Sequence, residues 1–95
     1  AVRETGGSYL LVQDEEILAA IAALGKQGIF AEPAGAAAYA GLVKAVAQGL
    51  IDTEDPVLVV NTGSGLKDIR TAMQAINPAP IIEPSLEAVK RALKL

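Results

Sequence analysis

The apolar positions fall into two kinds of stretch: short unbroken runs, and longer segments with the three-and-four spacing of a helical face. Ser8-Tyr9-Leu10-Leu11-Val12-Gln13 predicts a short strand between Gly7 and Asp14. Asp14 is a good N-cap, and Glu15 and Glu16 suit the positive end of a helix dipole, so a helix is expected from there to about Gly25. Its apolar face is Ile17, Leu18, Ile21 and Leu24, with Gly25 and Gly28 as the stop. The acids at its start read as caps rather than catalytic groups. After the link Ile29-Phe30, Pro33 sits where the first turn of a second helix would place it, and the Ala-rich continuation runs to about Gln48 before Gly49.

Pro56-Val57-Leu58-Val59-Val60-Asn61 predicts a second, buried strand that breaks into the turn Thr62-Gly63-Ser64-Gly65. A helix is expected from Lys67 to about Ile76, with Ile69, Met73 and Ile76 or Ala72 on its inner side, and Asn77-Pro78-Ala79-Pro80 breaks it. Ile81-Ile82-Glu83 reads as a short extended piece. Ser85 then caps a last helix through Leu93, whose C-terminal end carries Lys90, Arg91 and Lys94. The order β-α-α-β-α-β-α predicts the α/β class: a small three-layer unit with a short, mostly parallel sheet flanked by helices, in a single domain spanning residues 1–95.

Composition narrows the partners more than the fold. The chain is 52% hydrophobic but 3% aromatic, so its core has to come from closely packed Ala, Val, Ile and Leu. A net charge of −3, with eight basic residues scattered along the chain, offers no footprint for a phosphate backbone, and no nucleic-acid partner is expected. Cysteine and histidine are absent, which excludes disulfides, thiol chemistry, structural zinc and imidazole bases within these residues. No apolar run reaches the roughly 18 residues of a membrane span, and the first residues lack the apolar centre of a signal peptide. No membrane partner and a cytoplasmic location are the expectation. The chain starts without methionine in what reads as a loop, which raises the possibility of a piece of something longer.

Candidate chemistry concentrates at Thr62-Gly63-Ser64-Gly65. Two glycines leave backbone N–H groups uncovered, two residues supply hydroxyls, and the following helix start adds its dipole. A phosphate, a carboxylate or a ring nitrogen would suit it, and so would a plain strand-end turn with no ligand. The glycine spacing matches neither a P-loop nor a dinucleotide fingerprint.

Two motifs carry a resemblance: Gly28-Ile29-Phe30-Ala31-Glu32-Pro33-Ala34-Gly35-Ala36-Ala37 and Asn61-Thr62-Gly63-Ser64-Gly65-Leu66-Lys67-Asp68. Together with Thr5-Gly6-Gly7 and Asp14-Glu15-Glu16-Ile17-Leu18, they resemble the C-terminal part of the threonine synthase family. The Glu-Pro-Ala-Gly-Ala element is shared across pyridoxal phosphate enzymes of fold type II. The Thr-Gly-x-Gly-Leu-Lys-Asp element is more specific, since the dehydratases have Ser-Gly-Gly-Asn there.

The resemblance implies a unit of the large domain of a fold type II enzyme, and conversion of O-phosphohomoserine and water to threonine and phosphate on pyridoxal phosphate. It implies cofactor-binding roles for Thr62, whose hydroxyl would meet the pyridine nitrogen, for Gly63 and Gly65, and for Glu32 as a nearby carboxylate, although Glu32 also reads as a helix-start residue. Lys67 matches the lysine of the Gly-Leu-Lys-Asp element, not the cofactor's covalent anchor. That anchor, and the loops for the cofactor and substrate phosphates, lie in segments this chain lacks. The 95 residues are therefore expected to be inactive and to bind the cofactor weakly or not at all, with no catalytic residue and no metal. The expected partners are the remainder of the same enzyme and, through the exposed apolar face, a second copy. A free-standing anion-binding regulatory module and a fragment of a serine/threonine dehydratase relative are the alternatives.

Overall fold

Helix starts and stops set the architecture. The computed structural model describes residues 1–95, with α1 over Asp14–Lys26, α2 over Pro33–Ala47, a 3-10 turn over Gly65–Lys67, α3 over Ile69–Gln74 and α4 over Leu86–Leu93. The cap of α1 falls on Gln13, one residue before the expected Asp14, because the Glu16 carboxylate accepts the Gln13 backbone N–H at 2.7 Å. Gly28 and Gly49, at φ of 80° and 69°, turn the chain away after α1 and α2 in a conformation that other residues rarely adopt. Pro33 opens α2 with its missing N–H among the donors that have no helical partner. Ser85 caps α4 as expected, its hydroxyl accepting the Ala88 N–H at 3.2 Å.

The core is an alanine seam. Ala20, Ile21 and Leu24 of α1 meet Ala36 and Ala40 of α2, with Ala31 and Ala72 completing the cluster. Ala31 and Ala36 are fully buried. Methyl-sized contacts bring the two helices close, and α1 also packs on α3. α4 joins none of the main helix pairings.

The expected α/β unit with a mostly parallel sheet is not what forms. The fold is helical, with no strand and a single antiparallel bridge between Ala31 and Ser64. The segments 8–13 and 57–61 form no strand, and no strand-to-strand backbone hydrogen bonds take up their polar groups. Apolar patterning alone cannot make a strand without a pairing partner. Side chains expected in a sheet stay open, Leu58 at 88% exposure and Tyr9 at 84%. The expected extended piece at 81–83 is likewise unpaired, and Ile81 is fully exposed. The helix expected over 67–76 is broken by Asp68, which ends the 3-10 turn and caps α3.

The shape is accordingly long and open. The radius of gyration is 17.5 Å, against about 12 Å for a compact chain of this length. The accessible surface is 7559 Å², where a folded monomer of this mass shows about 5100 Å².

Lys44 ties the segment before α1 to the helices. Its ammonium donates to the Leu11 carbonyl at 2.7 Å and to the Glu16 carboxylate at 3.2 Å. The Gln13 N–H and then Lys44 hold the Glu16 carboxyl below its ordinary value of 4.5. A depressed carboxyl contributes stability above its unfolded pKa and loses it as pH falls through the folded one. Acidification between about pH 5 and pH 3 should therefore lower the urea midpoint. Glu16→Gln should flatten that dependence more than Lys44→Met does, because the larger cause, the Gln13 N–H, survives in the latter. Equal flattening in both variants would refute the ranking.

Candidate functional site

The two motifs that stand apart in sequence meet at the single bridge. The Glu32 N–H donates to the Gly63 carbonyl at 3.1 Å, and the Gly65 N–H donates to the Phe30 carbonyl at 2.9 Å. This two-bond clasp joins the entry of α2 to the Thr62-Gly65 turn.

The glycines make the clasp sterically feasible. A Cβ on Gly63 would run into the Glu32 carboxyl group, and one on Gly65 would run into the Phe30 ring. A Cβ on Gly35, in the first turn of α2, would strike the Asn61 side chain and come within 3.2 Å of the Gly63 nitrogen. Each of these glycines leaves room for a side chain of the opposite motif. None of the three has a positive φ, so the requirement is space rather than backbone conformation.

Charge closes the clasp a third time. Lys67 Nζ lies 2.8 Å from Glu32 Oε1, with the Glu32 side chain only 16% exposed and that of Lys67 63% exposed. Asp68 turns the other way and accepts from the Thr71 hydroxyl at 2.7 Å and the Thr71 N–H at 3.1 Å. Those bonds, the hydroxyl's first, hold the Asp68 carboxyl below the usual range, with Arg70 adding a little. Ser64 is occupied as well, its hydroxyl accepting the Leu66 N–H at 3.3 Å. Thr62 is exposed, and none of the side-chain hydrogen bonds of the turn engages its hydroxyl.

The residues singled out from the sequence, Glu32, Thr62, Gly63 and Gly65, therefore assemble in one place. Sequence reasoning missed Lys67 as the partner of Glu32 and Phe30 as the ring beneath Gly65. No spacing rule links positions 32 and 67; the only hint at Phe30 was that it is the sole phenylalanine in the chain. A groove of about 500 Å³ between α1 and α2, lined by Ala19, Ala23, Tyr39 and Val43 among others, holds none of the expected site residues. No group of three or more acidic side chains could hold a metal ion, and no helix is long and apolar enough to cross a membrane.

The turn thus leaves one side-chain hydroxyl unengaged, that of Thr62, close to the Glu32–Lys67 ion pair. Residues 1–63 match the family model described as pyridoxal-phosphate dependent enzyme, and the chain belongs to that family. It is 48% identical to the threonine synthase of Halalkalibacterium halodurans over 92% of this chain and 25% of the relative. To the threonine synthase of Methanocaldococcus jannaschii it is 41% identical over 99% of this chain and 24% of the relative. The threonine synthase of Methanosarcina acetivorans is 39% identical over 98% of this chain and 23% of the relative. The chain spans about a quarter of the length of these curated relatives and aligns with their C-terminal part.

The clasp predicts a specific non-additivity. Gly65→Ala should destabilise by about 1–3 kcal/mol, since the Phe30 ring has to move. In a Phe30→Ala background the same change should do far less, a coupling that denaturation of the four proteins of the cycle would measure. Additive losses would show that Gly65 and Phe30 do not contend for the same space.

Proposed function

We propose that this chain is the C-terminal part of a cytoplasmic threonine synthase, in which it helps convert O-phosphohomoserine and water to threonine and phosphate with pyridoxal phosphate. The relatives carry that name, and the site supports the reading. The observation that carries it is the convergence of Glu32-Pro33-Ala34-Gly35 and Thr62-Gly63-Ser64-Gly65 into one braced turn with the Thr62 hydroxyl free. When bound, pyridoxal phosphate supplies the electron sink for the reaction.

The residues fit a pyridine ring by the chemistry of their donors. Thr62 presents a neutral hydroxyl that can donate to a ring nitrogen, while Gly63 and Gly65 keep the backbone beside it free of side chains. Glu32 and Lys67 brace the turn as a pair, with the Glu32 carboxyl against Gly63. The alternatives of a free-standing anion module or a dehydratase fragment are not favoured, because the relatives are threonine synthases across nearly the whole chain.

The remainder of the enzyme is the natural cover for the exposed side chains of 8–11 and 57–60. Expressed alone, the 95 residues should self-associate through the same face, and sedimentation showing a strict monomer at high concentration would remove that expectation. The isolated chain mixed with pyridoxal phosphate should show no absorbance band of a bound cofactor. In the complete enzyme, Thr62→Val should weaken cofactor affinity about tenfold, the loss of one modest hydrogen bond, measured by equilibrium titration of the apoprotein. Unchanged affinity and activity would exclude Thr62 as the ring contact.

A further inference from the structure

Glu32 is the one carboxylate at the turn whose placement calls for an explanation. Its side chain is mostly buried, and its carboxyl group occupies the space in front of Gly63, the residue directly after Thr62. Chain geometry places that carboxyl within roughly 7 Å of the Thr62 Cα. A lone anion so near a basic ring nitrogen would favour its protonated form. Thr62, a neutral hydroxyl, does not.

The two side chains would therefore push the ring in opposite directions unless the charge on Glu32 is cancelled. Lys67 is in position to cancel it, with its ammonium 2.8 Å from Glu32 Oε1. The other charged groups of the neighbourhood are turned elsewhere. Asp68 is engaged by Thr71 with Arg70 beside it, and Glu16 on α1 is engaged by Gln13 and Lys44. Asp14 and Asp68 line a separate groove of about 320 Å³ on the Pro33 and Thr71 side.

We propose that Lys67 is the counter-ion that neutralises Glu32 beside the ring nitrogen of pyridoxal phosphate, so that Thr62 meets an unprotonated nitrogen. This rests on the functional reading above. Lys67 acts through Glu32 and is a positioning residue, not a catalytic one. The arrangement explains why a threonine and a glutamate are both compatible with one turn: the glutamate braces the backbone while the lysine removes its charge from the ring.

The test uses the holoenzyme that carries this segment, loaded with pyridoxal phosphate labelled with nitrogen-15 in the ring, and reads the chemical shift of that nitrogen. The wild-type signal should lie at the unprotonated position. Lys67→Met should move it toward the protonated position, whereas Lys67→Arg and the double variant Glu32→Gln/Lys67→Met should stay near wild type. Circular dichroism and cofactor content establish that each variant is folded and loaded, and the double variant and Lys67→Arg carry the comparison if Lys67→Met does not fold. In that case the proposal needs both to keep the wild-type shift, and a move in either overturns it. An unmoved signal in a folded Lys67→Met protein, or a Lys67→Met shift that the double variant shares, also overturns it while leaving the functional reading intact. A wild-type enzyme that holds no cofactor overturns both.

Discussion

The geometry of the Thr62-Gly65 turn depends on how closely the backbone at Ala31 approaches the backbone at Ser64. Two main-chain hydrogen bonds define the contact, and a side chain on either residue flanking Ser64 would force Glu32 or Phe30 to move. Gly63 yields its space to Glu32 and Gly65 yields its space to Phe30. The result fixes the start of α2 against the turn, with Gly35 as the third point where only a hydrogen fits. Remove the approach and the helix start, the turn and the ion pair lose their common frame.

Local turns and caps were more legible in the sequence than the sheet pairing was. Glycines, a helix-opening proline and hydroxyl residues have local meanings, and those meanings survived: Pro33 opens α2, Gly28 and Gly49 turn the chain at positive φ, and Ser85 caps α4. A strand has no such autonomy. Val57 to Asn61 has the composition of a buried strand, but its backbone groups need a neighbour, and that neighbour is not encoded in the run itself. The same limit hid the Glu32–Lys67 pair, since two residues 35 positions apart become partners only after Ala31 and Ser64 have met. Asp68 shows the converse. Its side chain caps α3 within three residues, and that local bond broke a helix that periodicity alone would have run through it.

The Glu32–Lys67 contact should not be credited with much stability. Lys67 is largely exposed, and an ion pair with one open partner contributes on the order of 0–1 kcal/mol. Its value is in where it leaves the charge. A mostly buried carboxylate held against Gly63 would dominate the electrostatics of the turn, and a lysine on the solvent side is the least disruptive way to balance it. Exposure of the lysine is thus compatible with its role, because it needs proximity to the carboxylate rather than burial.

An open fold and a braced turn are not in conflict, because they draw on different contacts. The surface of 7559 Å² and the exposed Leu58, Tyr9 and Leu11 show an apolar face without cover, which contributes little hydrophobic stabilisation in this chain. The clasp draws on nothing from that face. Its hydrogen bonds, its ion pair and the caps of Ser64 and Asp68 all run between residues 30–35 and 61–71, and Ala31, Ala36 and Ala72 tie that region to the alanine seam of α1 and α2. The turn that presents Thr62 is therefore set by this chain's own residues.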